Sequence, residues 1–315
     1  MQQINQTAAF TQQTSITFPA AKKAVESMNL INGFLFDSSI EDEEDAKIVI
    51  GAILTTVFNR EINDLKVTSQ KIIQPIDSMY HGIRLDAYVT EDTSGKISAN
   101  IYDVEVEDRE ADKSSLPKRL RYYNTLSDSR LLESGKSYDT LPNFISVTIL
   151  SYDPFNAGDI YYEAESVLKT HPNIPYKDGI THIYLYCNGK INDGLDASHG
   201  KKLMEVLKYI VSGEKVSTEN KQVNDLEKVV SKIKKRPEVT KKYMQQWDRE
   251  RHLVMDAKLD TKKEDALNTI RYDRGEGVSD EKIRKRLDSI FKLSPSTIDE
   301  LFAQVDAEEL ETNTK

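Results

Sequence analysis

The sequence predicts an α/β domain, a mixed sheet flanked by helices, followed by a helical C-terminal extension. Three observations carry this expectation. Short runs rich in Val, Ile, Tyr and Thr cluster between Lys66 and Cys187. Helical apolar spacing stands before and between them. From Lys201 onward the spacing is helical throughout. The order is helix, three strands, helix, strand, later strand and helical tail, which suits a sheet covered by helices.

Taken in turn, residues 1–28 read as a disordered tail. The stretch to Phe18 is rich in Gln, Thr and Ala and lacks the basic flank of a signal peptide. An apolar patch, Phe34–Leu35–Phe36, precedes the acidic run Glu41–Asp45. Ile48, Val49, Ala52, Ile53 and Val57 then recur at helical spacing, with the acids at the helix start, where they favour its dipole. Lys66–Ile73, Ile83–Val89 and Ile101–Asp108 read as strands, the last two flanking a turn-rich stretch around Gly95–Lys96. Leu116–Leu132 has helical character, with Pro117 in the first turn and Gly135 just past the end. Asn143–Tyr152 and Thr181–Cys187 are continuous β-rich runs, as buried strands require. Ser279–Asp280–Glu281 and Ser294 with Asp299–Glu300 mark two capped helices near the end. The division expected is a tail over 1–28, a core over 29–200, a helical extension over 201–270, and a short helical hairpin with its tail over 271–315.

Composition narrows the function. With 38% hydrophobic and 30% charged residues, the chain can bury an ordinary core. No apolar run nears the roughly 20 residues that cross a bilayer, so no membrane role is expected. The single cysteine, Cys187, excludes an internal disulfide and fits a reducing, cytoplasmic setting. A formal net charge of −9 argues against non-specific coating of nucleic acid, yet leaves room for a local basic face. The five histidines lack ligand spacing, and neither a phosphate-binding glycine loop nor a nucleophile elbow is present. The cations from Lys232 to Lys242 read either as a track for nucleic acid or as the wet side of an amphipathic helix. Trp247, the only tryptophan, reads as a packing residue for that helix.

The informative stretch is Arg84–Leu85–Asp86 with Asp103–Val104–Glu105–Val106–Glu107. Side chains alternate along a strand, so Asp103, Glu105 and Glu107 share one face. A hairpin folded about Gly95–Lys96 sets Asp86 opposite Glu105, with Cβ atoms about 5 Å apart. Like charges that close are unfavourable unless a cation lies between them or one is protonated. Mg²⁺ or Mn²⁺ suits such a pair, because these ions take oxygen ligands and leave room for water and phosphate. The alternative is a solvated hairpin face.

At these residues the chain resembles the PD-(D/E)XK nuclease family transposases, related to recombination-promoting nucleases. The resemblance spans roughly residues 29–258. Leu30–Phe36 resembles the opening of that family, Arg84–Leu85–Asp86 its first acidic motif and Asp103–Val106 its second. Leu116–Tyr123 is similar to its second core helix, and Tyr152–Phe155, Asp178–Leu185 and Arg249–Arg251 to later landmarks. The resemblance implies a restriction-endonuclease-like core and Mg²⁺- or Mn²⁺-dependent DNA cleavage, with Asp86 and Glu105 as metal ligands. Where the family pattern has Lys or Gln this chain has Glu107, which removes a donor and adds negative charge, and which is expected at the catalytic site as an auxiliary ligand or an electrostatic modifier. Lys113 and Lys118 are the candidates to supply the missing cation. Gly51 stands where relatives carry a helical Glu. Lys118, Arg119 and Arg121 are expected to contact DNA phosphates, with Lys118 and Arg121 on one side of the helix and Arg119 facing elsewhere. A rival reading is a nuclease-fold protein that binds DNA or a protein partner without cutting. A homodimer through the C-terminal helices is the third expectation.

Overall fold

The computed structural model describes residues 15–62, 64–75, 79–91 and 100–313. Pro19–Lys241 forms one compact unit, and the helices from Lys242 onward belong to another.

The first unit is built on a six-stranded mixed sheet. Its strands are β1 (Leu65–Ile73), β2 (Ile83–Glu91), β3 (Asn100–Glu107), β4 (Asn143–Leu150), β5 (Tyr161–Glu165) and β6 (Ile180–Tyr186), in the order β1-β2-β3-β4-β6-β5. β1, β2 and β3 form an antiparallel meander, and β3, β4 and β6 run parallel. β5 closes the far edge antiparallel to β6. This edge strand escapes sequence reading, because its five residues are part-exposed or exposed and carry no apolar alternation. The central strand β4 is buried over most of its length, as its near-continuous Phe, Ile and Val run requires.

Helices cover both faces. α1 (Phe18–Ser27), α2 (Gly33–Ser39) and α3 (Glu43–Phe58) precede the sheet. α1 corrects the expectation of a disordered tail: it is an amphipathic helix that buries Ala21 and Val25 completely. α3 begins at an N-cap, Asp42, whose side chain accepts the Asp45 N–H, and carries Glu43, Glu44 and Asp45 in its first turn. Its Phe58 ring meets Tyr102 of β3 at 5.5 Å between centroids. α4 (Leu116–Asp128) is the β3–β4 crossover and lies on the opposite face, where Leu116 and Leu120 pack with Leu150 and Tyr184. The turn expected at Gly95–Lys96 lies outside the described residues.

α5 (Ala197–Ser212) and α6 (Lys221–Lys234) also belong to the sheet unit. They bury Leu203, Val206, Leu207 and Ile210, and Val223, Leu226, Val229, Val230 and Ile233. The boundary expected at residue 201 therefore falls later, because those apolar faces complete the core. Asp45 is buried on α3 and ion-paired with Lys232, at 2.7 Å, and with Arg236, at 3.4 Å. These two cations of the basic run thus hold helices together.

The long helix α7 (Pro237–Gly275) belongs to the second unit from Lys242 onward and is followed there by α8 (Asp280–Phe291) and α9 (Pro295–Asn313). α8 and α9 form the expected hairpin. Ala266 and Ile270 of α7 pack with Ile283, Leu287, Ile298, Leu301, Phe302 and Val305. Trp247 is buried on α7, and Arg251 is ion-paired with Asp248 at 3.1 Å. No helix among the described residues is long and apolar enough to cross a membrane.

Candidate active site: a buried carboxylate cluster

The β2–β3 register aligns Ala87 with Val104 and Tyr88 with Asp103. Continued by one residue, this alignment sets Asp86 opposite Glu105, the pairing that the alternation predicts. The ladder itself stops at Ala87. Beyond it, the Val106 N–H acts on the Asp86 carboxyl and favours its charged form. On the other side, Ser69 pairs with Ala87 and Lys71 with Leu85, but Gln70, which faces Asp86, makes no ladder pair. Gln70 adopts a left-handed φ of 49°, uncommon for a residue with a side chain. Its amide donates to Asp37 of α2 at 2.6 Å. The charge of Asp37 acts on Asp86 and helps to hold its proton.

Asp103, Glu105 and Glu107 line one face of β3, and all three are buried. Asp103 has no exposed surface, and neither of its carboxyl oxygens has a hydrogen-bond partner. Beside Glu105 on β4 stands Thr148, fully buried, whose hydroxyl is likewise unpartnered. Beside Asp103 stands Ser146, bonded to His182 Nδ1 at 2.7 Å. Burial costs a charged carboxylate several kcal/mol unless it is paired, so protons are retained instead. Burial, with the charge of Asp37 adding to it, pushes the Asp86 carboxyl up to about 6, against the pull of Arg84 and the Val106 N–H. Burial first, then neighbouring carboxylates, raises Asp103 and Glu105 well above the ordinary range.

The cation that answers this cluster is Arg119 of α4. Its Nη1 lies 3.0 Å from Glu107 Oε2, and its Nη2 lies 4.0 Å from Glu105 Oε2. Its Nε is buried and unpartnered. Tyr123, one turn further along α4, is pushed up to about 12 by burial and then by Glu105. Glu107 is not an uncompensated charge, because it also accepts the Arg109 N–H at 2.9 Å.

Several expected residues lie elsewhere. Lys113 donates to Asn156 at 2.6 Å on an exposed loop. Lys118 and Arg121 are exposed on α4, so neither lysine takes the cation role that falls to Arg119. Arg119 faces the carboxylates and not an open phosphate track. Around Gly51, a Cβ would meet only Leu65 Cδ1, at 3.9 Å, and the glycine lines a separate pocket with Lys47, Glu61 and Asp225. Asp153, in the Tyr152–Phe155 landmark, is a loop anchor: it accepts the N–H groups of Phe155, Asn156 and Gly158 and the Tyr162 hydroxyl.

The donors at this face are carboxylate oxygens, a set that suits a hard divalent cation. Among the described residues, no three His, Cys, Asp or Glu side chains are gathered tightly enough to hold a metal as they stand. No protein-family model, characterised protein or solved structure matches the chain.

Proposed function

We propose that the chain is a divalent-metal-dependent DNA endonuclease on a PD-(D/E)XK-like core, of the transposase-associated kind. The observation that carries this reading is Asp103: a fully buried carboxyl with both oxygens unpartnered, on the strand face it shares with Glu105 and beside Asp86. Such a group calls for a positive ligand. Asp86 and Glu105 are the residues to hold Mg²⁺ or Mn²⁺. The ion, when bound, activates water and offsets charge on a scissile phosphate.

The chain's own residues supply the rest. Arg119, braced by Glu107, is the donor for a phosphate oxygen, the role that the motif lysine would fill. Guanidinium groups suit that task because they offer several fixed donors. The exposed Lys118 and Arg121 add phosphate contacts that position DNA without reading its sequence. A second reading, a protein that binds DNA without cutting it, is favoured by Glu107, which stands at the motif position and already engages Arg119.

Plasmid nicking decides between them. The expected result is slow cleavage with millimolar Mg²⁺ or Mn²⁺, abolished by chelator and by Asp86→Ala. DNA binding without any cleavage, unchanged in Asp86→Ala, favours the second reading, and absence of both ends the proposal.

A further inference from the structure

A separate cleft of about 350 Å³ opens between the end of β1 and the C-terminal turn of α4. Its walls include Lys71, Tyr88, Arg130 and Ile72, the last strongly exposed. The Lys71 ammonium lies 3.2 Å from the centre of the Tyr88 ring. Among the described residues it forms no ion pair or hydrogen bond, and burial holds it below the usual lysine range. Arg130 donates through Nε and Nη2 to the Gln74 carbonyl, which fixes its guanidinium without neutralising it. Asp128, which acts on Tyr88, accepts from Asn124 at 3.2 Å and pairs with neither cation.

Among the described residues, these two cations of one cleft, one of them partly withdrawn from water with an aromatic face against it, have no carboxylate paired with them. An aromatic ring offsets part of that cost, and an anion offsets more. Position narrows the anion. Tyr88 is paired with Asp103 across β2 and β3, so the cleft continues the carboxylate face by one strand position. Phosphate oxygens suit a guanidinium and an ammonium together.

We infer that the cleft walled by Lys71, Tyr88 and Arg130 is a phosphate-binding subsite, whose ligand is a phosphodiester of the DNA strand presented to the carboxylates. This rests on the nuclease reading above. Free phosphate offers the same oxygens, so both sources are tested.

The full-length chain, in chelator to prevent cleavage, is titrated with a fluorescently labelled 20-base-pair duplex at several salt concentrations. Lys71→Gln and Arg130→Gln should each weaken binding about 3–10-fold irrespective of sequence. The double variant should reduce the slope of log K against log salt by about one to two, as loss of one or two phosphate contacts requires. Lys258→Gln, an exposed position of α7, is the control and should change neither. Thermal midpoints confirm equal folding. If the duplex binds and is cut by wild type while the double variant is unchanged in affinity and slope, the subsite is overturned and the nuclease reading stands. If wild type binds no duplex, the nuclease reading and the DNA ligand both fall. Calorimetry with inorganic phosphate then decides the anion site: binding lost in the double variant upholds it, and no binding ends it.

Discussion

Two buried aspartates, one in each unit, show opposite treatments of the same group. Asp273, on α7 in the helical unit, is 3% exposed and accepts two hydrogen bonds from Arg286, at 2.8 and 2.7 Å. Asp103, on β3 in the sheet unit, is 0% exposed and accepts none. The helical unit repeats its pattern elsewhere: Arg274 reaches Asp280, Asp306 and Glu309, and Arg271 reaches Glu308. There, acids and bases brace a small hairpin. On the sheet, Arg119 reaches Glu105 and Glu107, and Arg109 reaches Glu107, but among the described residues neither oxygen of Asp103 has a partner. The difference separates charge placed for stability from charge held against it. Sites that bind or react are where such local conflict persists.

The largest effect that tests this contrast is on cleavage. Asp86→Ala should lower Mg²⁺-dependent nicking at least on the order of 100-fold, a loss of about 3 kcal/mol of transition-state stabilisation. Asp273→Asn should leave nicking within a factor of two at equal folded concentration. Equal losses in both would erase the distinction between the two regions.

Next in size is a dependence on pH. The Asp86 pKa is raised in the folded chain to about 6, from an ordinary value of 3.8. The folded state therefore holds this proton more tightly than the unfolded one. Its stabilising contribution is complete below about pH 4 and is lost as pH rises through 6. The shift corresponds to about 3 kcal/mol by linkage. Asp103 and Glu105 act in the same direction. Denaturant midpoints should fall more between pH 5 and pH 8 for wild type than for Asp86→Asn. Parallel pH profiles would show that the site carries no such burden.

Smaller effects should differ in sign. Asp273→Asn leaves Arg286 without its carboxylate and should destabilise by about 2 kcal/mol, the range for hydrogen bonds to charged groups. Asp103→Asn relieves a buried acid that has no partner and should raise the midpoint at pH 8. Calorimetric melts of the two variants check this, and destabilisation by both would mean that Asp103 is already compensated. Smallest of all, Arg271→Gln breaks a surface pair and should cost at most about 1 kcal/mol, vanishing in high salt.

The carboxylate face was legible because strand periodicity is strict. With a period of two, the acids of β3 have to share a side, and a hairpin between β2 and β3 fixes which residue of β2 they meet. Arg119 was not legible. Helical phase separates it from Lys118 and Arg121, but only the crossover of α4 over β3 shows which side meets the acids. Asp37 was hidden for a related reason: it lies on α2, far in sequence from β2, and only the packed fold brings its charge to bear on Asp86. α1 lay in a stretch whose buried apolar residues, Ala21 and Val25, are too few to mark a helix.

The lone tryptophan gives the molecule a division of optical labour. Trp247 lies beyond Lys242 on α7, whereas Tyr88, Tyr123 and Tyr152 surround the carboxylates or the cleft beside them. Emission excited at the red edge of absorbance follows the helical unit alone, while tyrosine bands in the near-ultraviolet circular dichroism are weighted toward the sheet unit, which holds every tyrosine except Tyr243 and Tyr272. A titration with metal or DNA that moves the tyrosine bands and leaves the tryptophan emission unchanged thus assigns the response to the sheet unit in the unlabelled protein.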